Sequence, residues 1–95
     1  MDEAGKLSVL KQDLQMLTPS NDRYLKTLLG LASKAIQKEG IVLLEGNDEC
    51  DMLVIQYAAY LFRKRSSGDT QMPRFLRWQL NNMLFSQKGG AAGDV

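Results

Sequence analysis

Eleven residues, Met52 to Phe62, are apolar except for Gln56, and no other feature limits the folds open to this chain so narrowly. At 100° per residue, Val54, Ile55, Ala58, Leu61 and Phe62 share one helical face, while Leu53, Tyr57 and Tyr60 share another. A helix that is apolar on more than one side must be covered on more than one side. It is the central helix of the fold, a helix covered by a second molecule, or both. The block is about half the length that a bilayer-spanning helix needs, and the polar, acidic start at Met1–Lys6 does not resemble a signal peptide. A soluble, intracellular protein is expected.

Around this block the sequence predicts an all-α fold of four helices. Asp48, Glu49 and Asp51 open the central helix and Arg63, Lys64 and Arg65 close it, each sign matched to its end of the helix dipole. The acidic residues are expected on solvated surfaces. Before it, Leu7, Leu10, Leu14 and Leu17 recur every three or four residues and predict a helix over 3–17, stopped by Pro19. Leu25, Leu28, Leu29, Ala32, Ala35 and Ile36 predict a second helix over 22–39, with Gly40 as its left-handed terminator. Ile41-Val42-Leu43-Leu44 has no strand to pair with and reads as an extended linker pinned by its aliphatic side chains. Asp69 or Thr70 is expected to cap a fourth helix over 71–88, with Pro73 in its first turn. Gly89 to Val95 has nothing to bury and reads as a flexible, disordered C-terminal tail behind a single domain over 1–88.

With 95 residues the chain has room for one core and a thin stability margin. It contains no histidine and one cysteine, Cys50. A nucleophile–base pair of the usual kind therefore cannot be built, nor can a structural zinc site. No Gly-rich phosphate loop precedes a helix. These absences predict a protein without catalytic residues, metal or cofactor. Oligomerisation is the remaining route by which so small a domain gains buried surface.

The chain also divides by charge. Residues 1–62 carry six Lys/Arg and nine Asp/Glu, whereas residues 63–95 carry six and two. In the fourth helix Leu76, Leu80, Met83 and Leu84 form the expected core stripe. Trp78 and Phe85 lie opposite, with Arg74 and Asn81 between them, a composition enriched at interface hot spots. The alternative is that a helix in a small bundle buries two faces and Trp78 belongs to the core. Arg74 and Arg77 stand in early turns of their helix, where positive charge is unfavourable. Something must compensate them: an acidic partner, acids of another copy, or nucleic-acid phosphate.

The run Tyr57-Ala58-Ala59-Tyr60-Leu61-Phe62-Arg63-Lys64-Arg65, a polar loop, and then Met72-Pro73-Arg74-Phe75-Leu76-Arg77-Trp78-Gln79-Leu80-Asn81-Asn82 resembles the small head–tail connector proteins of tailed bacteriophages and prophages, also called adaptor or head-completion proteins. Leu7 to Gly40 follows the family layout more loosely. Phe62 stands where the family more often has Tyr, and Met83 where it more often has a basic residue. The resemblance implies a structural subunit without turnover that assembles into a ring, usually of twelve copies. Such a ring docks under the portal in the virion neck, extends the DNA channel and offers a surface to the next connector or tail protein. It is built in the host bacterial cytoplasm, lies close to packaged DNA without reading it, and involves no membrane. On this reading Arg63, Lys64, Arg65, Arg74, Arg77, Trp78, Asn81 and Phe85, supported by Tyr57 and Tyr60, form the interface with a sister subunit or the portal. The basic residues are expected to meet acids of the next copy or of the portal. The competing expectation is a small helical DNA-binding or regulatory protein that uses 63–78 on phosphate, with Trp78 as a stacking companion.

Overall fold

The computed structural model describes residues 1–68 and 71–93, with side chains through Lys88. Among these residues there are four α-helices and no strand: α1 (Glu3–Leu14), α2 (Asp22–Lys38), α3 (Asp48–Ser67) and α4 (Arg74–Gly93), with a single 3₁₀ turn at Pro19–Asn21. The apolar block is the central helix. α3 packs against α1, α2 and α4, and its Leu53, Val54, Ile55, Ala58 and Ala59 are all buried. Leu7 and Leu10 of α1 and Leu25, Leu28, Leu29, Ala32 and Ile36 of α2 complete the core on one side. Leu76 and Leu80 of α4 complete it on the other. No described helix is long and apolar enough to cross a membrane.

Capping sets the helix ends. The Asp2 carboxylate accepts from the Gly5 N–H at 2.7 Å, and the Asn47 side chain accepts from the Cys50 N–H at 3.0 Å. Each satisfies a donor that the first helical turn leaves unpaired. Gly40 (φ 99°) follows α2 and Gly68 (φ 76°) closes α3, both left-handed. Cys50 is buried and serves as a small core residue.

Three boundaries depart from expectation. α1 stops at Leu14, not Leu17. Gln15 turns left-handed (φ 58°), and the Met16 N–H reaches back to the Lys11 carbonyl at 2.8 Å. Pro19 holds Thr18 extended, so the chain must leave the helix early enough to reverse into α2, and Leu17 is left 91% exposed. α4 begins after Pro73, not before it. A proline restricts its predecessor to extended conformations, and the Pro73 carbonyl accepts the first helical bond, from the Arg77 N–H. α4 then runs to Gly93, five residues past the expected end at Lys88. The rest of the expected flexible tail over 89–95, and the expected caps Asp69 and Thr70, fall outside the described residues.

Asp51 corrects the expectation that the acids are solvated. It is 6% exposed, and its carboxylate lies 3.0 Å from the Met1 amino group and 4.0 Å from Lys6 Nζ.

The α2–α3 connector clamps α4. Ile41 is buried while Val42 and Leu44 face outward, the pattern of an extended segment with alternating sides. The Gln87 side chain pairs with Val42 as a neighbouring strand would, accepting from its N–H at 2.9 Å and donating to its carbonyl at 2.8 Å. At Gly40, Leu84 Cδ1 comes within 3.4 Å of where a Cβ would stand. An L-residue at φ 99° is strained, so Gly40→Ala should lower unfolding free energy by about 1–2 kcal/mol. Urea titration of the purified protein reads that loss.

Candidate assembly surface

Because α4 meets the molecule along one stripe only, its opposite face is left open. Leu76 and Leu80 are buried and Met83 and Leu84 half-buried, so the core stripe lies where the sequence puts it. Trp78 is 60% exposed and Phe85 78%. The alternative that Trp78 is core therefore fails, since none of the described residues covers it. Phe75, which the sequence reading passed over, joins this face. It is 61% exposed and stacks on Trp78 with ring centroids 6.2 Å apart and planes 25° from parallel. Its position three residues before Trp78 is the signal that would have found it.

The basic residues separate into those engaged within the chain and those left over. Arg77 grips Glu39 with both ends of its guanidinium, at 2.7 and 2.9 Å, and reaches Asn81 Oδ1 at 3.4 Å. The charge that seemed to need a partner molecule thus has one at the end of α2. The hydrogen bonds to Glu39 raise the Arg77 pKa further above its ordinary value. Arg63 pairs with Asp13 at 3.1 Å, tying α3 to α1 at the surface. The Arg65 guanidinium lies 5.8 Å from the centre of the Tyr24 ring, and Lys64 Nζ lies 5.9 Å from that of Tyr60. Arg74 is exposed and has no ion pair among the described residues.

Tyr57 and Tyr60 are half-buried between α3 and α4, their rings edge to face at 5.8 Å. They support α4 from beneath and do not lie on its open face. Burial, followed by the charge of Glu39 and the neighbouring Tyr60, raises the Tyr57 pKa above 10.0, with Arg77 opposing. The ten residues expected at the interface therefore form three sets. Trp78, Phe85, Asn81 and Arg74 are exposed on α4, Tyr57, Tyr60 and Arg77 form a half-buried internal cluster beside them, and Arg63, Lys64 and Arg65 are exposed in the last turns of α3.

Beside the open face, α3 and α4 enclose a groove of about 480 Å³ lined by Asp48, Glu49, Met52, Trp78, Met83 and Ser86, among others. Met52, the second residue that the sequence reading missed, is 39% exposed there. Near the other end of α4 a smaller hollow of about 160 Å³ is lined by Tyr60, Arg63, Pro73 and Phe75, among others. Among the described residues no group of three or more His, Cys, Asp or Glu side chains could hold a metal ion. What this arrangement offers is apolar contact area with charge at its margins, the chemistry of a protein interface.

No protein-family model matches this sequence, and no curated protein or solved structure matches it.

The shifted phenol gives a direct check on the internal cluster. A tyrosine with a raised folded-state pKa contributes stability that is fully present below pH 10 and is lost as pH rises through the folded value. Absorbance titration of the three tyrosines should show one ionising later than a free phenol. Tyr57→Phe should remove that late step, and Arg77→Ala should move it later still.

Proposed function

We propose that this chain is a structural subunit of a phage or prophage head–tail connector, working without turnover as one copy of a ring beneath the portal in the virion neck. There it would extend the DNA channel and present the tail or the next connector with a docking surface. The observation that carries the reading is the open face of α4, where Phe75, Trp78 and Phe85 are each more than half exposed. Large aromatic side chains gathered on one face of a small protein mark a contact surface. The face lies within and beside the stretch, Tyr57 to Asn82, whose residues resemble the connectors. Cytoplasmic assembly in a bacterial host follows from the same resemblance.

The phosphate-binding alternative is weaker. Arg77 and Arg63 are neutralised by Glu39 and Asp13 of the same chain. The groove beside Trp78 is lined by Asp48 and Glu49, which would repel a nucleic-acid backbone.

The test is co-sedimentation with the portal protein of the phage or prophage that carries this gene. Trp78→Ala and Phe85→Ala should each weaken docking or ring formation by roughly 30-fold, the scale of one hot-spot residue at about 2 kcal/mol. Both should keep the unfolding free energy within about 0.5 kcal/mol of the parent, as exposed positions do. Wild-type assembly by both variants, or salt-sensitive duplex binding in place of portal binding, would overturn the reading.

A further inference from the structure

Two places along α4 carry opposite charge that no ion pair among the described residues matches. In the groove between the start of α3 and the Trp78–Ser86 stretch of α4, Asp48 and Glu49 are exposed and have no ion pair among the described residues. They stand beside an apolar lining of Met52, Trp78 and Met83. At the start of α4 the situation is reversed. Arg74, exposed and unpaired, adjoins the exposed Phe75 ring. Lys64 stands nearby over Tyr60, which lines the same hollow as Phe75. The other two candidate cations for such a contact, Arg63 and Arg77, are excluded by their own ion pairs.

One is thus an acidic groove with an aromatic wall, and the other a basic corner with an aromatic tip. Trp78 joins them, lining the groove while stacking on Phe75 of the corner. Within one molecule Arg74 pairs with neither Asp48 nor Glu49.

We propose that the occupant of the groove is a second copy of this chain, its Arg74–Phe75 corner seated between the Asp48/Glu49 carboxylates and the Trp78 wall. The contact is head to tail. Each copy gives a corner and receives one, so the association propagates and does not end at a pair. The inference rests on the assignment of this face to assembly and names the two surfaces that meet. It also divides labour on α4: Arg74, Phe75 and Trp78 serve the sister copy, leaving Phe85 for another partner.

Trp78 is the only tryptophan of the chain, so its emission reports groove occupancy. At low ionic strength, raising the concentration of the wild-type protein should shift that emission to the blue. Sedimentation should show species larger than a dimer, and added salt should reverse both, since exposed charges are screened beyond roughly 10 Å at 0.1 M. Arg74→Glu alone and Asp48→Lys/Glu49→Lys alone should each weaken association by about tenfold or more. All three positions are exposed, and circular dichroism should confirm that both variants are folded. An equimolar mixture of the two should restore association. The reversed corner fits the reversed groove, and the two unaltered surfaces still fit each other.

The inference is overturned by a mixture no better than its components, or by single variants that associate as the wild type does. It is equally overturned by association that stops at a dimer, or by a wild type that shows neither the shift nor association up to about 1 mM. Co-sedimentation with the portal protein of the same phage or prophage separates the two readings. Binding that still depends on Phe85 would leave the connector reading standing when the corner–groove contact fails. Loss of both would remove both.

Discussion

What α4 shows to the outside depends on how it is held from the inside. The helix joins the rest of the molecule through Leu76 and Leu80 against α3 and through three ties to the end of α2 and the segment that follows it. Arg77 grips Glu39, Leu84 abuts Gly40, and Gln87 pairs with the Val42 backbone. These ties are spaced along one side of the helix at residues 77, 84 and 87. Together they fix its rotation about its own axis. That rotation turns Trp78 and Phe85 away from the core and makes them available to another molecule. A slip of even one residue would exchange aromatic surface for core, so the polar ties serve register more than raw stability. An exposed pair of the Arg77–Glu39 kind contributes at most about 1 kcal/mol.

The same logic explains the division of the basic residues. Charge near the start of α4 opposes the helix dipole, and the fold answers it twice in different ways. Arg77 is neutralised inside the chain by Glu39, and the two act on Tyr57 with opposite sign, Glu39 raising its pKa and Arg77 lowering it. Arg74 is left outside, one residue from Phe75. A uniformly basic end would favour nucleic acid. A single free arginine beside an aromatic ring favours a carboxylate-bearing protein surface, and the Asp48/Glu49 groove is one.

Much of the fold was legible because it is written in local spacing. The stripes of α2 and α3, the left-handed glycine after α2 and the extended Ile41–Leu44 segment follow from periodicity and turn chemistry within a few residues. The outward direction of Trp78 and Phe85 was legible in the same way. Asp51 could have been read as buried, since it lies three, four and seven residues before Val54, Ile55 and Ala58 and shares their face. Its first-turn position concealed that. Other features depend on contacts far apart in the chain and leave no local trace. Glu39 and Arg77 are separated by 38 positions, and Val42 and Gln87 by 45. Nothing near Arg77 announces that its partner lies in its own chain, and so it was expected at the interface together with Arg74. The early end of α1 is a competition between a leucine stripe that would continue the helix and a proline that demands the turn. Spacing alone does not show which prevails.

The central claim is that Phe75, Trp78 and Phe85 form a surface for assembly. Hydroxyl-radical footprinting with mass spectrometry measures the solvent exposure of those three side chains directly, in the free protein and in the assembled state. The account predicts strong oxidation of all three in the free state and marked protection of all three on assembly, with Leu80 and Leu10 unlabelled throughout. Equal oxidation of the three aromatic residues in both states would contradict it.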